Sequence, residues 1–161
     1  DSPSSKYIER GKRYAQAPHN YERERIVNLV TSIQSDLSNA GLFMTNEPIK
    51  LFAACSWWTT ACKTTSLLYV ELEKIGIDVR IMRTDVFDGR EPKKLLERIL
   101  LNDIIVFGGW NHYGYGCLQE DYDSEQTFLQ HFTIFKKYSI DSETIRIGVK
   151  KDFLERIGVT Y

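Results

Sequence analysis

The first part of the chain distributes its apolar residues with the spacing of α-helices. The stretch "NYERERIVNLVTSIQSDLSNAG" has one apolar helical face, formed by Ile26, Val30, Ile33 and Leu37. Asn20 is suited to cap the start of this helix, and Gly41 is suited to end it. A shorter helix is predicted within "SKYIERGKRYAQA", before Pro18. We expect residues 1–48 to be an N-terminal helical extension, too exposed to belong to a core, that docks on a partner.

From Ile49 onward, short apolar runs alternate with helical stretches. The predicted strands are "IKLFAAC", "IDVRIMRT", "NDIIVFGG" and "TIRIGV", over 49–55, 77–84, 102–109 and 144–149. The predicted helices cover 63–76, 90–101 and 124–138. The last of these rests on Phe128, Phe132 and Phe135, which fall on one helical face. We therefore expect residues 49–161 to form a small flavodoxin-like α/β domain, a parallel sheet of about four strands with helices on both faces.

Composition and charge exclude several classes of protein. The 161 residues are 42% hydrophobic and 27% charged, with a net charge of -1, so there is no basic footprint for nucleic acid. No apolar run approaches the roughly 18 residues of a membrane span. Three cysteines are too few for a secreted disulfide framework, and no apolar signal core lies near the start. We expect a protein of a reducing compartment, the cytoplasm.

Two unusual segments are expected at one edge of this sheet. The stretch "KLFAACSWWTTACKTTSLL" carries two of the three Trp and two of the three Cys in a strand-to-helix turn, where small polar residues are usual. The stretch "GGWNHYGYGCLQEDY" follows the third strand. Ligands of such sheets bind beyond the carboxyl ends of the strands. The candidate binding residues are Cys55, Trp57, Trp58, Thr59, Thr60, Thr64, Gly108, Gly109, Trp110, Asn111, His112 and Tyr113.

Three chemistries would use these residue types. Aromatic side chains can sandwich a flavin such as FMN, and threonines at the start of a helix can hold its phosphate. A metal ion or an iron–sulfur cluster would use Cys55, Cys62 and Cys117, with His112 as a fourth ligand, although no C-x-x-C pair is present. A nucleophilic cysteine would use His112 as its base. We rank the flavin above the metal and the metal above the nucleophile.

A structural interpretation competes with all three chemistries. Cysteine is more often a small core residue than a ligand, and tryptophan is enriched at subunit interfaces. The glycines would then serve tight turns. The absence of any cofactor is thus a further alternative.

From Lys50 to about Val149 the chain resembles the delta subunit family of methyl-viologen-reducing hydrogenases. The resemblance lies in "FAACSWW", "VRIMR", "DGREP", "LLNDIIVFGGWNHYGYGCLQEDYDSE" and "YSIDSETIRI". It implies an iron–sulfur protein that passes electrons to heterodisulfide reductase. Family members carry cysteines in three loops, whereas here only Cys55 stands at a matching place. The resemblance therefore implies the scaffold and the docking role, with a lost or altered cluster.

The chain is also similar to flavodoxin-like FMN reductases. "KLFAACSWWTTACKTTSLL" resembles their phosphate loop, with Thr64 at the start of the helix, and "DIIVFGGWNHYG" resembles their flavin-flanking loop. We therefore predict an electron-transfer or accessory subunit that works with other protein subunits of a redox complex. The alternatives are an FMN-binding NAD(P)H oxidoreductase and a non-catalytic structural subunit.

Overall fold

The computed structural model describes residues 5–18, 20–54, 60–81, 97, 99–108 and 129–160. The elements in chain order are α1 (Ser5–Gln16), α2 (Tyr21–Asn39), β1 (Ile49–Ala54), α3 (Thr60–Lys74), β2 (Val79–Ile81), β3 (Ile104–Gly108), β4 (Phe132–Ile140), β5 (Glu143–Lys150) and α4 (Lys151–Ile157). The five strands form one sheet in the order β2-β1-β3-β5-β4. Strand β1 is parallel to β2 and β3, whereas β5 is antiparallel to β3 and β4. The α/β class is therefore confirmed.

Helix α2 begins and ends where local signals place its termini. The Asn20 side chain accepts a hydrogen bond from the Arg23 backbone N–H at 2.7 Å, which satisfies one of the unpaired amides of the first turn. Two glutamates in that turn suit the positive end of the helix dipole. After the helix, Gly41 adopts the left-handed conformation (φ 79°) that favours glycine. The predictions for Asn20 and Gly41 are confirmed.

Helix α2 belongs to the core of the domain. Its buried residues are Ile26, Leu29, Val30, Ile33 and Leu37. They form one cluster with Leu67 and Leu68 of α3 and with Ile104 and Val106 of β3. The expectation that the N-terminal helices are too exposed to be core is wrong for α2. The reason is its continuous apolar stripe, which is wide enough to pack against both α3 and the sheet.

Both faces of β3 are buried. Ile104 and Val106 face the side that carries α2 and α3, and alternation along the strand places Ile105 and Phe107 on the opposite side. Both of these residues are 0% exposed.

A helix is predicted over 90–101. Within this range Glu97 and Ile99 are helical, and the other residues before Ile99 lie outside the described part of the chain.

The C-terminal part of the sheet differs from the prediction. A helix is predicted over 124–138, but β4 occupies Phe132–Ile140 and pairs with β5 in a hairpin. Only the two residues Asp141 and Ser142 separate these strands, and so short a connection imposes antiparallel pairing. The strand predicted at 144–149 is therefore antiparallel to β3, and within the described residues the sheet has five strands of mixed direction instead of about four parallel ones.

A buried carboxylate ties together the opposite end of the sheet. Asp103 is 6% exposed, and its Oδ2 accepts a hydrogen bond from the Lys50 backbone N–H at 3.1 Å. The Asp103 backbone bonds to Lys50 O at 2.9 Å and to the Lys150 N–H at 2.8 Å. Arg156 Nη2 lies 3.5 Å from Asp103 Oδ1. These partners fix the starts of β1 and β3 and the end of β5, so this acid has a structural role.

Candidate functional site

The ends of β1 and β3 lie side by side. Ala54 is paired with Phe107, so segments 55–59 and 109–128 leave the sheet from neighbouring parallel strands. Because β5 is antiparallel to β3, its first residue, Glu143, starts at the same end. We call this end of the sheet, formed by Ala54, Gly108 and Glu143, the carboxyl rim. The two strand ends meet as expected.

The structure describes only some of the candidate residues. Those within the described part are Thr60, Cys62, Thr64 and Gly108. Those outside it are Cys55, Trp57, Trp58, Thr59, Gly109, Trp110, Asn111, His112, Tyr113 and Cys117. The predictions for the second group stay predictions. The geometry of the first group decides what the start of α3 can bind.

The first hydroxyl of α3 is bound to a carboxylate. Thr60 Oγ1 donates a hydrogen bond to Glu143 Oε2, which links the start of α3 to the start of β5. A hydroxyl has one hydrogen to donate, so this contact commits the Thr60 donor. The carboxylate also lies at the positive end of the helix dipole, where an anion is favoured. Glu143 therefore stands where a phosphate of a ligand would be expected.

The second threonine of the predicted phosphate loop is part of the core. Thr64 is 0% exposed, and its Oγ1 donates to the Thr60 carbonyl at 2.7 Å. In the same way, the Thr65 hydroxyl donates to the Ala61 carbonyl at 2.9 Å. The Ser66 hydroxyl donates to the Cys62 carbonyl at 3.0 Å. Buried hydroxyls need such partners, since an unpaired one is costly. Thr64 thus has a packing role and offers no hydrogen to a ligand.

A second carboxylate flanks the first turn of α3. Lys63 Nζ forms an ion pair with Glu22 Oε1 of α2 and lies 5.8 Å from the centre of the Tyr14 ring. Burial raises the pKa of Tyr14 to about 12, with a further contribution from the charge of Glu22, so the phenol stays protonated. The lysine near the rim is therefore neutralised by the protein itself.

The described cysteine is a core residue. Cys62 is 3% exposed and belongs to the hydrophobic cluster between α3 and the sheet. This environment favours a packing role, because thiolate ligands need stabilising positive charge or metal close by. In the part of the chain that is described, no three His, Cys, Asp or Glu side chains are grouped so as to bind a metal ion. A ligand set with Cys62 would need Cys55 and Cys117, which lie outside that part.

Gly108 is explained by packing. A Cβ atom built on Gly108 would lie 2.7 Å from Ile145 Cδ1 and 3.4 Å from the Thr144 carbonyl oxygen. It would also lie 3.7 Å from the Cβ of Ala61 in α3. The glycine therefore allows β3, β5 and the start of α3 to approach each other at the carboxyl rim.

A polar groove lies between α2 and β4. Its volume is about 500 Å³, and its lining residues are Arg25, Asn28, Leu29, Ser32, Lys137, Tyr138, Ser139, Ile140 and Asp141. Arg25 forms an ion pair with Asp141 in the β4–β5 turn. Asp36 Oδ2 accepts hydrogen bonds from Tyr138 Oη at 2.7 Å and from Lys136 Nζ at 2.9 Å. These contacts fasten α2 to β4, and they do not follow from the sequence because a helix is predicted over most of β4.

Glu143 and Glu22 were missed for a related reason. Thr60 and Glu143 are 83 residues apart, and only the antiparallel direction of β5 brings them to the same end of the sheet. Glu22 and Lys63 are 41 residues apart, and only the packing of α2 against α3 brings them together. The available signal was the spacing "SIDSETIRI", in which two turn residues precede a strand and place its first side chain beside the turn.

No protein-family model, curated protein or solved structure matches the chain. The two family resemblances thus stay predictions. None of the helices within the described residues is both long and apolar enough to cross a membrane.

Proposed function

We propose that the chain is an accessory or electron-transfer subunit of a multi-subunit redox complex, with the carboxyl rim as its working surface. The observation that supports this proposal is the pairing of Ala54 with Phe107. Because of this pairing, the tryptophan–cysteine segment after β1 and the glycine–aromatic segment after β3 begin at the ends of adjacent strands. The three tryptophans of the chain, Trp57, Trp58 and Trp110, all lie in these two segments. Segments that are rich in large aromatic residues and start from one rim suit a planar redox group or the partner protein that carries it.

The contacts at α3 favour some ligands of this rim over others. A flavodoxin-like FMN site would place the phosphate at the start of α3, but Thr60 is bound to Glu143 and Thr64 is buried. The described residues therefore do not fit the phosphate end of FMN. As the ligand of the rim, we therefore rank a stacked aromatic group or a partner's cofactor above FMN. An FMN-dependent NAD(P)H oxidoreductase is the lower-ranked function. An iron–sulfur cluster would depend on Cys55 and Cys117.

A second candidate function is a non-catalytic structural subunit. It is favoured by the packing roles of Cys62, Thr64 and Gly108, which are three of the four candidate residues that the structure describes. In this alternative, the tryptophans bind a partner protein without any cofactor. The two functions differ in what the purified chain binds.

Tryptophan emission provides the test, since every tryptophan lies in a rim segment. The full chain is titrated with riboflavin, FMN and an oxidised viologen, and the native preparation is analysed for flavin, iron and acid-labile sulfide. We expect saturable quenching by a planar redox compound, or a bound chromophore, with the quenching weakened in Trp110→Phe. The control Tyr21→Phe, which alters an aromatic residue that is 75% exposed on α2, keeps the wild-type response. A colourless chain whose emission none of these compounds changes would overturn the redox proposal in favour of the structural subunit.

A further inference from the structure

We infer that Glu143 is a specificity-determining residue of the carboxyl rim, which excludes phosphate-bearing ligands and accepts planar aromatic ligands that lack a phosphate. The inference rests on the proposed function and specifies the class of ligand, neutral or cationic. The resemblance to FMN reductases implies a phosphate site at the start of α3, whereas the structure has a carboxylate at that place.

The start of α3 is attractive to anions by its nature. The first four backbone N–H groups of a helix have no partner within the helix, and the helix dipole adds positive potential there. Helix α3 has 15 residues, long enough for this effect. Phosphates bind such positions in many α/β proteins. Here the Glu143 carboxylate already accepts the hydrogen bond of the Thr60 hydroxyl.

The position of Glu143 follows from the hairpin. It is the first residue of β5 and is paired with Ile140, the last residue of β4. Asp141 between them adopts a left-handed conformation (φ 54°), which aspartate tolerates better than most residues. Arg25 binds Asp141 and so anchors the turn to α2. The carboxylate is therefore held at the rim by backbone pairing and by an ion pair.

The other polar groups of the first turns of α3 are also committed. Thr64 donates to the Thr60 carbonyl, and Lys63 is paired with Glu22. A phosphate monoester carries a charge of about -1.5 to -2 at neutral pH. It would meet the Glu143 carboxylate, and neither the Thr60 hydroxyl nor the Lys63 ammonium would be available without breaking a contact. An uncharged or cationic ring meets no such repulsion.

The test measures phosphate binding and flavin binding separately. Thermal unfolding of the full chain is followed with increasing inorganic phosphate, against chloride at equal ionic strength, and riboflavin and FMN are compared by tryptophan quenching. The variants are Glu143→Gln and Glu143→Thr. The second is included because threonine is favoured in strands and so should preserve β5. The control Glu155→Gln removes an equal charge from an exposed position of α4.

For the wild type we expect no saturable stabilisation by phosphate and weaker quenching by FMN than by riboflavin. In both Glu143 variants, phosphate stabilises the protein, and the affinity for FMN rises about tenfold relative to riboflavin, which is about 1.4 kcal/mol. The control behaves as the wild type. Two results would overturn the inference: a wild type that binds phosphate saturably, or Glu143 variants whose response to phosphate equals that of the wild type.

The two arms separate this inference from the proposed function. If neither flavin quenches any variant but phosphate stabilises the Glu143 variants, the flavin ligand is refuted and the exclusion of phosphate by Glu143 stands. If riboflavin binds and the Glu143 variants do not change the preference over FMN, the rim is a ligand site and the role of Glu143 is refuted.

Discussion

Truncation of one side chain in α2 tests whether this helix is part of the domain core. Ile33 is 0% exposed and lies in the cluster shared with α3 and the sheet. The change Ile33→Ala removes three buried carbon atoms, worth about 0.8 kcal/mol for each methylene, or about 2.4 kcal/mol together. The cavity left behind adds to this cost, and the better helix propensity of alanine offsets a few tenths of a kcal/mol. We expect a loss of about 3 kcal/mol in the free energy of unfolding.

Equilibrium unfolding in urea provides the measurement. Far-ultraviolet circular dichroism follows the helices, while tryptophan emission follows the two rim segments, which are far from α2 in sequence. We expect the two signals to change together in the wild type and in the variant, because a shared core unfolds cooperatively. The control Ser35→Ala, at an exposed position of α2, changes the stability by less than about 0.5 kcal/mol.

Two results would contradict a shared core: a cost of less than about 1 kcal/mol for Ile33→Ala, or loss of the helical signal in a separate transition from the tryptophan signal. Either result would mean that α2 is an independent arm, as the sequence predicts for residues 1–48.

Two further predictions concern other contacts of the core. The hydrogen bond from Tyr138, and to a smaller extent that from Lys136, holds the pKa of Asp36 below its usual range. The stabilising effect of the Asp36 carboxylate is therefore complete above the unfolded pKa of about 3.9, and it is lost as the pH falls through the folded pKa. Asp36→Asn should thus cost about 1 kcal/mol at neutral pH and progressively less in acid, as measured by urea unfolding; a cost independent of pH would contradict this account. In a variant whose other two cysteines are serine, buried Cys62 should react with a thiol reagent at least about a hundredfold more slowly in the native state than in denaturant. Equal rates would show that the thiol is accessible to a metal.

The sequence predicts best the elements whose signals are local. The cap at Asn20, the stop at Gly41 and the apolar run of β3 each depend on a few adjacent residues, and all three are found in the structure. The parallel pairing of β1 with β3 follows from the general rule for strands that are joined through helices.

The C-terminal hairpin shows why other elements are harder to predict. Phe132 and Phe135 have helical spacing, and a β-bulge between Ile134 and Lys136 interrupts the alternation that would have indicated a strand. The pattern along β4 therefore lacks a clear period of two. The strand forms because β5 pairs with it along its whole length, and that tertiary effect outweighs the local pattern.

The candidate site was predictable in part. The common edge of β1 and β3 follows from their parallel order, and so does the presence of α3 beside it. The contact between Thr60 and Glu143 was out of reach, since it requires the direction of β5, and that direction was predicted wrongly. The burial of Thr64 and Cys62 also required the orientation of α3 relative to the sheet.

The hydrogen bonds between Asp36 of α2 and the side chains of β4 join parts of the chain that are synthesised at different times. Asp36 precedes Lys136 by 100 residues and Tyr138 by 102 residues. During synthesis on the ribosome, α2 emerges well before the strand that it fastens. Chains that depend on such distant contacts fold slowly, because they must close large loops before the contacts stabilise them. A nascent chain that ends before β4 lacks both partners of Asp36, so this link between α2 and the sheet can close only after the hairpin has been made.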